Sequence, residues 1–187
     1  MVKYGTAMRV KNLARTGWML RGIPPSDSET VSSHIFEVVF LSMLIADKLG
    51  EAGVRTDVLK IVRMALLHDI LESVTGDIAK NVKSSIANPA QLEEEAVREL
   101  EIAGYSDILK ELSEGRSLES VIVKLCDNVA TLLQGIRYLN KGYTSVLDIV
   151  ESTKEKVETI LKSAPVPDEA REVLRNLITK LVVSEEL

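Results

Sequence analysis

An all-α fold is what this sequence predicts, and three observations carry it. Apolar residues recur mostly three and four positions apart, which is the helical period. Leu, Val, Ile, Ala, Glu and Lys dominate while aromatic residues are only 4%, a balance that favours helix formers over strand formers. No stretch reads as a strand. At 187 residues, with 45% hydrophobic and 27% charged, the chain suits one packed domain over residues 1–187, since domains usually take about 100–200 residues.

The elements follow in order. A first helix is expected over about Val2 to Leu13, then an irregular stretch from Arg15 to Ser28 that contains Gly17, Gly22, Pro24 and Pro25. Ser26 and Glu29 have the spacing of a capping box, so the second helix should begin between Ser26 and Ser32 and run to about Leu49, before Gly50 and Gly53. A third should span about Thr56 to Asp69, followed by a Thr75-Gly76-Asp77 turn. Ile78 to Pro89 reads as irregular or weakly helical. Further helices are expected over about Ala90–Ala103, Tyr105–Ser113, Leu118–Asn140, Tyr143–Leu161 and Pro167–Val183, where Pro167 suits a first helical turn.

Charge and composition exclude several function classes. The net charge is -5, from 28 acidic and 23 basic residues with no long block of either sign, which disfavours nucleic acid as a partner because its phosphates call for clustered Lys and Arg. No apolar run approaches the roughly 18 residues needed to cross a bilayer, and Val38 to Ala46 is broken by Ser42. Cys126 is the sole cysteine, so no internal disulfide can form, and with no leading signal segment a cytoplasmic, soluble protein is expected. Oligomeric state stays open, a homodimer included.

Two histidines, His34 and His68, are all the chain has. His34 shares a stripe with Val38, Leu41 and Ile45, so its imidazole should point inward; a buried core histidine and a metal ligand both fit that position. On the third helix the stripe of Val58, Ile61, Val62 and Ala65 runs into His68, Asp69 and Glu72. A desolvated carboxylate there costs several kcal/mol, as a rough figure, unless it is paired or bound to a cation. The long helix does the same with Asp127 beside Ile122, Leu125, Val129, Leu132 and Ile136. His34, His68, Asp69 and Asp127 make a nitrogen and oxygen set suited to one first-row divalent ion such as Mn²⁺, Co²⁺, Fe²⁺ or Zn²⁺.

A His on one helix, an adjacent His-Asp on another and a later Asp resemble the HD-domain phosphohydrolases, and His34, His68-Asp69 and Asp127 match in order and approximate separation. Within that superfamily the chain is most similar to the 5'-deoxynucleotidase branch, which includes the bacterial YfbR-type enzymes and eukaryotic HD-domain-containing relatives. Arg15-Thr16-Gly17-Trp18 with Arg21, Val31-Ser32-Ser33-His34, Ala65-Leu66-Leu67-His68-Asp69 through Glu72 to Thr75-Gly76-Asp77-Ile78, and Lys124-Leu125-Cys126-Asp127 carry the likeness, which covers about Lys11 to Tyr138. Two departures stand out: Ser33 replaces the usual acid before the first His, and Gly17 stands where the YfbR pattern has Arg directly before Trp.

The resemblance implies a compact multi-helix bundle with one metal in its core, and hydrolysis of deoxyribonucleoside 5'-monophosphates to deoxyribonucleoside and phosphate. A bound ion lowers the pKa of water toward neutrality and polarises a phosphoryl oxygen. Glu72, three residues after Asp69 and four after His68, can reach that water as general base, or else be an exposed helix-end residue. The resemblance places Asp77 against the sugar; a turn cap is the ordinary alternative. Trp18 is either a wall of the nucleoside pocket or core filling. Arg15 and Arg21 carry the rigid fork that suits phosphate, and Lys124 is a partner for a ligand carboxylate, for phosphate, or for solvent. Two other functions stay in view: a deoxynucleoside triphosphate triphosphohydrolase, and a metal-stabilised nucleotide-binding scaffold without turnover. Two-metal HD phosphodiesterases need further histidines, and the chain has none.

Overall fold

A computed structural model of the chain describes residues 1–79 and 88–185. Those residues form α1 (Tyr4–Ala7), α2 (Thr16–Met19), α3 (Val31–Glu51), α4 (Val58–Leu67), α5 (Glu72–Thr75), α6 (Pro89–Leu100), α7 (Ser106–Glu114), α8 (Leu118–Asn140), α9 (Leu147–Ser163) and α10 (Asp168–Glu185). Among them there is no strand, and the one ladder contact is an isolated antiparallel bridge between Ala14 and Thr30. Of the irregular stretch expected over Ile78 to Pro89, residues 80–87 lie outside the described residues.

The central element is α8. It buries Ile122, Val123, Leu125, Cys126, Val129, Ala130, Leu132, Leu133 and Ile136, apolar on nearly every side, as befits a helix enclosed by others. Helices α3, α4, α9 and α10 all pack on it, and their inward side chains merge into one core that includes Val38, Leu41, Ile45, Ile61, Met64, Val157, Leu161 and Leu174. A glycine makes one of these approaches possible: a Cβ on Gly135 would sit 2.6 Å from Val150 Cγ2 and 3.6 Å from the Trp18 ring. Burial pushes the Cys126 thiol up to about 12, so it stays an unreactive core residue. No helix among the described residues is long and apolar enough to cross a membrane.

The first helix expected over Val2 to Leu13 is broken into α1 and a 3-10 turn at Met8–Lys11. The cause is tertiary. The Val31 N–H donates to the Leu13 carbonyl at 2.8 Å and the Arg15 N–H to that of Glu29 at 2.9 Å, so the chain is drawn out extended beside the start of α3. The capping box expected at Ser26 and Glu29 is not used. Thr30 caps α3 instead, its hydroxyl accepting from the Ser33 N–H at 3.2 Å, a bond worth about 1 kcal/mol. Ser26 donates to Asp27, and the Glu29 side chain turns inward. The core face of α4 also differs from the expected stripe: Ile61, Met64 and Ala65 are fully buried, whereas Val58 is 41% exposed.

Candidate metal centre and active site

Three helices deliver the ligand-type side chains. His34 lies one turn into α3, within the row Val31, Ile35, Val38 and Leu41, and is 0% exposed. His68 follows the last residue of α4, where helix carbonyls lack partners; its Nδ1–H donates to the Ala65 carbonyl at 2.7 Å. Asp127 comes from the middle of α8. One ligand atom from each of His34, His68 and Asp127 lies within 4.8 Å of the others. Asp69 lies beside them, with Oδ2 3.2 Å from His68 Nε2 and 3.8 Å from His34 Nε2.

These residues fit a divalent ion, and the atom that tests the fit is His68 Nε2. Because Nδ1–H is committed to Ala65, it is the Nε2 side of the ring that is turned toward the Asp69 carboxylate. It is buried without an aligned hydrogen bond. Burial opposes the charged ring, yet Asp69 and Asp127 hold its pKa up to about 9, so the carboxylates gathered here favour a cation. Asp69 reads the same way: burial raises it, but the neighbouring His68 pulls it down to about 2. An imidazole fixed by a backbone carbonyl on its far side is the usual arrangement of a metal-ligating histidine.

Glu72 opens α5, and its Oε2 is buried with no hydrogen bond. Burial first, then Asp69 and Asp77, lift its pKa to about 9, which makes it a far stronger base than a surface glutamate. His68, Asp69, Glu72, Thr75 and Gly76 line a cavity of about 60 Å³ together with Leu92 and Glu93 of α6. Gly76 has φ +74, a conformation that side chains other than glycine's rarely adopt, and it turns the chain so that Asp77 reaches back. The Asp77 carboxylate accepts from the Thr16 N–H, and the Thr16 hydroxyl donates to the Asp77 carbonyl at 2.7 Å. The two segments singled out in the sequence, Arg15 to Trp18 and Thr75 to Asp77, are thereby joined.

Arg15 is the cation of this cluster. Its Nη1 donates to Glu29 at 3.2 Å, to His34 Nδ1 at 3.0 Å and to Thr131 at 3.4 Å. Burial works against its charge, but Glu29, Asp69, Asp127 and Asp77 together raise its pKa. The remaining expected residues lie elsewhere. Trp18 is 2% exposed and packs with Ile23, Tyr138 and Val146, so of its two readings the core one holds; its indole N–H donates to Glu29 at 3.1 Å. Arg21 is a surface residue whose Nε donates to both oxygens of Asp148 at 3.0 and 3.1 Å. Lys124 is exposed on α8. The residue that sequence reasoning missed is Glu29, the carboxylate on which Arg15 and Trp18 converge; its sequence position suggested only a helix cap.

The chain belongs to the HD-domain family, whose match spans residues 7–166 and so takes in all four ligand-type residues. It is 32% identical over 139 residues to the 5'-deoxynucleotidase HDDC2 of Dictyostelium discoideum, covering 70% of this chain and 72% of that one. It is 36% identical over 132 residues to the 5'-deoxynucleotidase YGK1 of Saccharomyces cerevisiae, covering 70% of this chain but 54% of the yeast protein. In three dimensions it resembles a conserved hypothetical protein from Pyrococcus furiosus, with a TM-score of 0.80 at 26% identity over 94% of this chain and 95% of the other.

Proposed function

We propose that this chain is a metal-dependent 5'-deoxynucleotidase, releasing phosphate from deoxyribonucleoside 5'-monophosphates. The observation that carries the reading is the meeting of His34, His68, Asp69 and Asp127 in the interior, with His68 Nε2 facing Asp69 and with Arg15 beside them. The Dictyostelium and yeast relatives with this activity support the substrate class.

His34, His68, Asp69 and Asp127 hold one divalent ion, of the Mn²⁺, Co²⁺, Fe²⁺ or Zn²⁺ kind. When bound, the ion supplies Lewis acidity to the phosphoryl group and eases the ionisation of water near neutral pH. Glu72, which lines one cavity with His68 and Asp69, accepts the proton of the attacking water once the ion beside it has drawn its own proton off. Arg15 neutralises the phosphate; its Nε and Nη2 make no hydrogen bond among the described residues, leaving a fork for two oxygens. Asp77 faces the sugar from the turn at Gly76, where a 2'-hydroxyl would meet a carboxylate already bonded to Thr16. Residues 1–187 act as one domain on a small nucleotide, in the cytoplasm.

The test is kcat/KM for matched deoxy and ribo monophosphates with each metal. An unmatched buried polar group costs about 1–3 kcal/mol, so the deoxy series should be favoured roughly 5- to 150-fold, and Asp77→Ala should narrow that ratio. Equal values for the two sugars would defeat the deoxynucleotidase reading and leave a broader phosphohydrolase. Release of triphosphate from deoxynucleoside triphosphates would favour the triphosphohydrolase instead.

A further inference from the structure

The two histidines are not prepared alike. His68 already has Nδ1–H on the Ala65 carbonyl, which leaves Nε2 to face the cluster. His34 has its Nδ1 3.0 Å from Arg15 Nη1 and its Nε2 3.0 Å from Asp127 Oδ1. A guanidinium has only donors. Nδ1 of His34 must therefore accept, and Nε2 must carry the proton that goes to Asp127. In that tautomer Nε2 has no lone pair for an ion. Ligation requires the opposite tautomer, with Nδ1 protonated and an acceptor in front of it. Glu29 Oε1 stands there, 3.9 Å from Nδ1, on a side chain only 4% exposed. Its other oxygen is held in place by the Trp18 indole and by Arg15.

We propose that Glu29 is the positioning residue for His34: it takes the Nδ1–H when Nε2 binds the ion, and in the same step Arg15 Nη1 is released from the imidazole to face the phosphate. The inference rests on the metal-centre reading and adds a role within it. A proton moves from Nε2 to Nδ1 of one ring, so no charge or atom is gained or lost. Loading the ion then also removes one of the three contacts that hold Arg15 Nη1.

Imidazole ¹⁵N NMR of the unaltered protein, with and without Zn²⁺, reads the tautomers directly, since the chain has two histidines. His34 should change from Nε2–H to Nδ1–H on loading, while His68 keeps Nδ1–H in both states. Zn²⁺ titration calorimetry should show Glu29→Ala losing roughly 10- to 100-fold in affinity, the range for a lost partner of a ligating histidine. Glu29→Gln, which keeps one acceptor oxygen, should recover part of the loss. Arg21→Ala, whose guanidinium pairs with Asp148 at the surface, should bind Zn²⁺ like the unaltered protein. Zn²⁺ binding without a tautomer change at His34 overturns the proposal even if Glu29→Ala fails to fold, and so does equal loss in Arg21→Ala and Glu29→Ala. Failure of the unaltered protein to bind Zn²⁺ overturns the metal-centre reading and this inference with it.

Discussion

Arg137, near the end of α8, donates from Nη1 and Nη2 to Glu37 at 2.9 and 2.8 Å, and from Nε and Nη2 to Glu185 at 3.0 and 2.7 Å. Arg15 donates through Nη1 alone, to three partners at 3.0 to 3.4 Å. Each guanidinium sits among carboxylates that raise its pKa. Around Arg137 the chain closes every contact on itself and ties α3, α8 and α10 together. Around Arg15 it assembles carboxylates from four segments and leaves half of the guanidinium fork unused. A polar cluster satisfied within the chain is a clamp, whereas one that leaves donors unused is arranged for something the chain lacks.

Substitutions should divide along that line. The largest effect is expected at Glu72. Glu72→Ala should retain the metal by elemental analysis and lose about 10²- to 10⁴-fold in kcat, the usual scale for a general base; undiminished turnover would take Glu72 out of the reaction. Arg15→Ala should lower kcat/KM by about 10²- to 10³-fold, as for other groups that stabilise transition-state charge. Arg15→Lys should recover little, because an ammonium offers no fork. Full activity in Arg15→Lys would mean that only charge is needed there.

A third expectation concerns stability in the ion-free protein. Glu72 has a folded pKa raised to about 9 from 4.5. Below the unfolded value both states hold the proton; as pH rises toward about 9 the unfolded chain releases it first, so this residue progressively destabilises the fold. Glu72→Gln should therefore raise the melting temperature at neutral pH, by an amount corresponding to about 1–3 kcal/mol, with the gain vanishing near pH 4.5. A gain independent of pH would contradict the shift. The smallest effect belongs to Arg137→Ala, which should leave kcat/KM unchanged and cost about 1 kcal/mol or less in chemical denaturation, since the pair is partly solvent-screened.

Much of the site was legible because each ligand ends or interrupts an apolar stripe. His34, Asp69 and Asp127 are polar residues on rows that must face inward, and a three-and-four spacing shows that without a partner in view. The bounds of α8, Leu118 to Asn140, were legible for the same reason. What periodicity does not reach is pairing across the chain. Arg21 and Asp148 are 127 positions apart, and no local pattern joins them. Trp18 lies in a short turn of helix where no stripe assigns a face. Glu29 was read through its neighbours as a cap, but its carboxylate answers to Arg15, Trp18 and His34, and only the folding of the 13–15 segment against α3 brings these together.

Gly135, the notch that admits Trp18 and Val150, has a consequence beyond packing. It stands eight residues after Asp127 on the same unbroken helix, about 12 Å along the axis. The helix therefore acts as a ruler on which the Asp127 carboxylate and the seat of the Trp18 segment are two graduations. Side chains on either mark can be exchanged one at a time, but the spacing between them cannot: one inserted residue would turn the notch by about 100°, swinging the Arg15 to Trp18 segment away from Asp127. The interval from 127 to 135 should thus be a stretch where lineages vary in letters and never in length.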